Sequence, residues 1–161
     1  MVLVKTQILA KGGSHVAVLN LNDIADTPFG NALPASVRPE LTALSQVFNA
    51  ALSAGLAGLP LRMIDTYTLS KATHQNPAKY GFVNNTVPAC DPARISAVTG
   101  GAVTSGSSLF CNATAGAPYN GLRDGADPLT WQFADDVHPT ARGHRVLTDT
   151  LVAQLKSFGW L

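Results

Sequence analysis

A parallel α/β fold is what this sequence predicts, and three features predict it. Val16, Ala17, Val18, Leu19 and Leu21 form an almost continuous apolar run, the mark of a strand buried on both faces. Apolar residues at Leu41, Leu44, Val47, Phe48, Ala51, Leu52 and Leu56 recur with helical spacing directly after it. The elements then alternate as helix, strand, helix, strand, long loop and helix, an order that favours parallel pairing with helical crossovers.

Residues 2–10 read as the last turns of a helix, with Val2, Leu3, Ile8 and Leu9 apolar and Gly12-Gly13 as its stop. The strand His15–Leu21 follows, then a loop containing Pro28, Gly30 and Pro34. Pro39 and Glu40 open the clearest helix, which ends near Gly58 and Pro60. Leu61–Asp65 reads as a second short strand and Thr66–His74 as a helix. Regular pattern then lapses from Pro77 to Thr130, a third of the chain that holds 7 of the 14 glycines and 5 of the 10 prolines. So long a loop inside a compact domain is usually functional. Thr140–Phe158 closes the chain as a helix with Val146, Leu147, Leu151, Val152 and Leu155 on one face. Two strands make a poor parallel sheet. Either Arg94–Phe110 supplies more, at Ile95–Val98 and Ala102–Thr104, or a partner completes the sheet, or the chain is a portion of a larger domain.

The 161 residues fit one domain, and 46 % apolar composition is enough for a core. Charged residues are only 13 %, about half the usual ~25 %, and the formal charge is +1. That balance excludes a basic nucleic-acid surface as the driver of function. No apolar run reaches the ~18–20 residues of a membrane span. The opening Met1-Val2-Leu3-Val4 is interrupted by Lys5 and lacks a cleavage pattern, so no secretory signal is expected. Cys90 and Cys111 are separated by twenty residues. Paired, they would close a loop worth roughly 3 kcal/mol in the chain-entropy model, and pairing needs an oxidising compartment; the alternative is two free buried thiols.

The segment that carries chemistry is Trp131-Gln132-Phe133-Ala134-Asp135-Asp136-Val137-His138-Pro139-Thr140, followed by Gly143-His144. An Asp three residues before a His can fold back and accept the imidazole Nδ1–H. That fixes the tautomer, leaves Nε2 free as a base and stabilises the imidazolium. Pro139 is expected at the first helical position, with the helix dipole acting against the imidazolium and Asp135 for it. The same pair can also serve as an ordinary loop cap.

D-x-x-H-P-T ahead of a C-terminal amphipathic helix resembles the last motif block of the SGNH (GDSL) lipase/acylhydrolase family. Val16–Leu21 with Asn22-Asp23 and Thr27-Pro28 resembles the family's fourth strand and the loop after it, and Leu61–Asp65 its fifth strand. Asn76-Pro77-Ala78-Lys79-Tyr80-Gly81-Phe82, then Asn84, Thr86 and Cys90, is similar to the N-P-x-x-Y-G-F and Cys segment of the secreted lecithinase/haemolysin-like branch. Cys111 corresponds to that branch's second cysteine. The resemblance implies a flavodoxin-like three-layer α/β fold, present as a single partial domain over residues 1–161 with few parallel strands. It implies carboxylic-ester hydrolysis of small-molecule or lipid esters without an organic cofactor, His138 as general base, Asp135 as its orienting acid, and a secreted or periplasmic origin. The family's Ser in G-D-S-L, its oxyanion Gly and the Asn of G-x-N-D lie upstream of the matched strand. None has a corresponding position here, so the chain resembles the C-terminal half.

The nucleophile is therefore open. Gly106-Ser107-Ser108-Leu109 differs from G-D-S-L in one residue and sits in a glycine-rich loop, which makes Ser107 and Ser108 candidates against a plain connector. Ser14 is a third, beside His15, although neighbours at a strand entrance point to opposite faces. His138 could instead activate water directly, a general-base gain of order 10²–10⁴ in rate. Asp135, Asp136, His138 and His144 are metal ligands by type, but six residues put His138 and His144 about 240° apart on a helix. The rival to an enzyme is a non-catalytic module that retains D-x-x-H. The shortage of strands also predicts a homodimer completing the sheet.

Overall fold

The computed structural model describes residues 2–114 and 118–161. Its sheet has two parallel strands, β1 (Ala17–Leu19) and β2 (Arg62–Ile64), paired Ala17 to Arg62, Val18 to Met63 and Leu19 to Ile64. Both are shorter than the apolar runs that announce them. Backbone bonds extend the pairing at each end, from Arg62 N–H to Val16 O (2.9 Å) and from Asn20 N–H to Ile64 O (3.1 Å). Helices make up most of the remaining regular structure, so the architecture is mixed α/β.

Before β1, residues 4–11 turn as helix and stop at Gly12, whose φ of +91° a residue with a Cβ would adopt only with strain. The expected loop after β1 is partly helical. Asp23 accepts Ala25 N–H at the start of a 3₁₀ turn, Ile24–Asp26, and Thr27 accepts Gly30 N–H to cap α1 (Pro28–Ala32). Here T-P acts as a helix start rather than a loop marker. α2 (Arg38–Leu56) and α3 (Thr66–Gln75) lie where the sequence places them, α3 being capped by the Asp65 side chain on Thr68 N–H.

The expected strand at Ile95–Val98 does not form. Asp91 accepts the N–H groups of Ala93 and Arg94, Pro92 occupies the first turn, and α4 (Pro92–Val98) results, anchored by the fully buried Ile95. A D-P helix start outweighs the β-branched residues behind it. Ala102–Thr104 is irregular. α5 (Ala141–Ser157) is capped by Thr140, whose hydroxyl accepts Gly143 N–H, so the helix begins two residues beyond Pro139. Beneath its half-buried apolar face, Val146 and Leu147 join Leu19, Leu69, Phe82 and Phe133 around a cavity of about 290 Å³.

The α2 stripe is only partly turned inward. Leu44, Val47 and Phe48 are exposed, while Leu56 is buried and Leu41 and Leu52 half-buried beside the polar Thr42, Ser45 and Asn49 on the inward face. Thr42 donates to Asp23, Ser45 accepts Ile24 N–H, and Asn49 bonds both N–H and C=O of Leu21. The chain leaving β1 needs these partners once it stops pairing with β2, and they set the rotation of α2.

Candidate active site

Residues 132–140 fold back on themselves as a closed loop. Ala134 N–H bonds His138 O (2.8 Å) and Thr140 N–H bonds Gln132 O (3.0 Å), with Phe133 opposite Pro139. Asp135 points into the loop and organises it. Its Oδ1 accepts Val137 N–H (3.1 Å), His138 N–H (2.8 Å) and the His138 ring at Nδ1 (2.8 Å); Oδ2 lies 2.9 Å from the same Nδ1. A carboxylate against Nδ1 makes that nitrogen the donor and leaves Nε2 as the lone-pair nitrogen. The Asp135 side chain is 11 % exposed and that of His138 68 %, so the acid is enclosed and the ring faces solvent.

Burial pushes the Asp135 carboxyl upward. Hydrogen bonds from the Ser108 side chain and from the backbone N–H groups of His138, Val137 and Ser108 outweigh it, holding the pKa to about 2. The acid is therefore ionised throughout the neutral range and supplies a fixed negative charge behind the ring.

Other motifs meet this loop. Val83 N–H bonds Thr130 O (2.8 Å) and Gln132 N–H bonds Asn84 O (2.9 Å), which lays the end of Asn76–Phe82 beside the D-x-x-H segment. Arg142 donates Nε–H and Nη2–H to Tyr80 O, and Phe29 N–H bonds Asp136 O. Cys90 N–H bonds Ala134 O (2.8 Å), and Cys90 is disulfide-bonded to Cys111. The first turn of α5 presses on the loop at Gly143, where a Cβ would stand 2.6 Å from Gln132 O.

The nucleophile candidates do not reach Nε2. Ser108 lies on the Asp135 side of the pair, its N–H 3.0 Å from Oδ2, and Ser107 immediately precedes the turn that Ser108 begins. Ser14 precedes β1, at the end of the sheet away from the Leu19–Asp23 side that lines the cavity; its Oγ is 3.1 Å from His15 Nδ1, so these neighbours do meet. Among the described residues no side chain is in hydrogen-bond contact with Nε2. The metal set does not assemble either, because His144 sits on the exposed face of α5, and no three His, Cys, Asp or Glu side chains among the described residues are placed to hold an ion. Of the aromatic residues near the motif, Phe82 and Phe133 line the cavity, as do Val137 and Pro139, while the His138 ring does not.

A second polar cluster has almost no signature in the sequence. Lys71 Nζ lies 3.0 Å from both Asp23 and Asp26, and His74 Nε2 is 3.7 Å from Asp26. Burial pushes the Asp23 carboxyl up, but Lys71, Thr42 and Ala25 N–H outweigh it and leave its pKa lowered; Lys71 is correspondingly raised, its two carboxylates outweighing its own desolvation. The only sequence signal is matched spacing, Asp23/Asp26 and Lys71/His74 each three apart, and nothing local joins positions 48 residues distant.

No helix of the described residues is long and apolar enough to cross a membrane. Neither a protein-family model nor a curated protein sequence matches the chain.

Proposed function

We propose that the chain is a carboxylic-ester hydrolase that uses His138 Nε2 as general base and Asp135 as the acid that orients it. The observation that carries this reading is the two-oxygen contact of Asp135 with Nδ1, at 2.8 and 2.9 Å, in a loop that leaves the rest of the ring open to solvent. A backbone cap would need only Oδ1; the ring contact adds a tautomer-fixed base. The choice of ester rests on the resemblance to the SGNH acylhydrolases. In that reading β1 and β2 correspond to the fourth and fifth strands of a flavodoxin-like sheet, and the disulfide suits a secreted or periplasmic enzyme. The substrate is a small-molecule or lipid ester approaching from the solvent side of His138.

Within the described residues the base meets solvent rather than a serine, so the step it supports here is proton removal from water as that water attacks the ester carbonyl. Fluorophosphonate labelling with peptide mapping tests the route. The water route yields no serine adduct that depends on His138. A single adduct at Ser14, Ser107 or Ser108, lost in His138→Ala, assigns an in-chain nucleophile to the same base. An adduct that survives His138→Ala contradicts the role given to His138.

One observation favours a second reading. Asp135 also accepts two backbone N–H groups, so D-x-x-H closes its loop whether or not the ring does chemistry. A non-catalytic interaction module would retain the motif for that reason, and would hydrolyse esters no faster than its His138→Ala variant.

A further inference from the structure

We infer that Ser108 is a positioning residue for His138, acting through the Asp135 carboxylate, and that the Cys90–Cys111 disulfide holds Ser108 in place. The two carboxylate oxygens have different keepers. Oδ1 is engaged by the loop's own backbone, at Val137 and His138. Oδ2 is engaged from outside by Ser108 N–H, 27 residues earlier in the chain. Rotation about the Asp Cβ–Cγ bond is soft, so a donor on one oxygen alone leaves the carboxylate plane free to turn. A second donor on Oδ2 fixes it in the plane that presents both oxygens to Nδ1. His138 is the one titratable side chain in hydrogen-bond or ion-pair contact with Asp135 among the described residues.

Ser108 needs an anchor because it follows the glycine-rich stretch 100–106. Its turn, Ser108–Phe110, is closed internally by Phe110 N–H to Ser107 O and Cys111 N–H to Ser108 O. The disulfide then joins the end of that turn to Cys90, whose N–H bonds Ala134 O next to Asp135. The result is a closed circuit from Asp135 through Ala134, Cys90, Cys111 and Ser108 back to Asp135. The disulfide and the Ser108 N–H are the covalent and hydrogen-bonded links from residues 105–111 to this circuit among the described residues. The consequence for rate rests on the ester-hydrolase reading; the geometry does not.

The test is the titration of the Asp135 side-chain carboxyl by ¹³C NMR in four proteins: the parent, Ser108→Ala, Ser108→Pro and the Cys90→Ser/Cys111→Ser double variant. Proline suits position 108, because it begins a 3₁₀ turn after a residue at φ −57°, ψ 125°, the extended conformation preferred before proline. Alanine removes the hydroxyl and keeps the N–H; proline removes both. The Asp135 pKa is expected to rise in Ser108→Pro and in the double variant by at least about one unit, toward the ordinary ~3.9, with Ser108→Ala between them and the parent. An Asp135 that titrates in folded Ser108→Pro where it does in the parent overturns the proposal. Should either variant fail to fold, the parent suffices: the Ser108 amide proton shift follows the Asp135 titration, and an amide indifferent to it is the contrary result. In the hydrolysis assay the His138-dependent kcat falls in Ser108→Pro and in the double variant relative to the parent. A carboxyl that shifts while no variant or parent shows His138-dependent hydrolysis supports the positioning and counts against the ester reading alone.

Discussion

Asp135 Oδ1 accepts both the backbone N–H and the ring Nδ1–H of His138, each at 2.8 Å, so one carboxylate oxygen fixes where the residue sits and how its ring is turned. Fold and chemistry are joined in a single side chain, and substitutions on its two sides should separate them.

Asp135→Asn keeps an oxygen for the backbone N–H groups but loses the negative charge behind the ring. The imidazolium formed during proton transfer is then less stabilised. Ester hydrolysis should fall by about 10²-fold or more while the far-ultraviolet circular dichroism is unchanged. Equal rates in the two proteins would mean that the acid serves the loop alone.

The low pKa of Asp135 makes a signed prediction for stability. The unfolded chain, with a carboxyl near the ordinary ~3.9, takes up its proton first as pH falls. The stabilisation is complete above about pH 4 and is lost as pH drops through the folded value of about 2. Asp23 and Asp65, also lowered against their burial, act in the same direction. Urea denaturation from pH 6 to pH 2 should therefore show an acid limb that is shallower in Asp135→Asn than in the parent.

Reduction of Cys90–Cys111 reopens a loop of twenty intervening residues. The chain-entropy model puts this near ~3 kcal/mol, or about 6–12 °C in Tm for a chain of this size. Differential scanning calorimetry with and without reductant measures it; an unchanged Tm would contradict a constraint on the unfolded chain of this size.

Gly143→Ala places a methyl group 2.6 Å from the Gln132 carbonyl, where neither backbone can easily give. The start of α5 must move away from the D-x-x-H loop, a cost of about 1–3 kcal/mol. Thermal melts should show that loss, and a melt like the parent's would place α5 farther from the loop than described.

On α2, Ser45→Ala should cost about 1 kcal/mol because Ile24 N–H loses its acceptor, whereas Val47→Gln on the exposed face should lie within about 0.5 kcal/mol of the parent. The same exposed face and the free edges of the two-stranded sheet bear on the expected homodimer. A monomeric mass by light scattering at micromolar concentration counts against it.

Sequence legibility divides along the local and the long-range. The strands at Val16–Leu21 and Leu61–Asp65, the helices opened by Pro39 and Thr140, and the Asp135–His138 contact are all set by neighbours within a few residues, and each is readable in the sequence. The rotation of α2 is not, because it depends on which backbone groups are left unpaired where the chain leaves β1 at Leu21 and Ile24. α4 is missed for a nearer reason: Asp91-Pro92 is a helix start that stands inside a glycine- and proline-rich stretch. The hold of Ser108 on Asp135 spans 27 residues, which no local pattern records.

The central claim, that His138 is a base oriented by Asp135, is tested most directly by the hydrolysis of a p-nitrophenyl ester by the parent and by His138→Ala. The ring is largely exposed, so the variant should fold as the parent does. The parent rate should depend on His138 and fall by about 10²–10⁴-fold on its substitution. A folded His138→Ala protein that hydrolyses the ester as fast as the parent would contradict it.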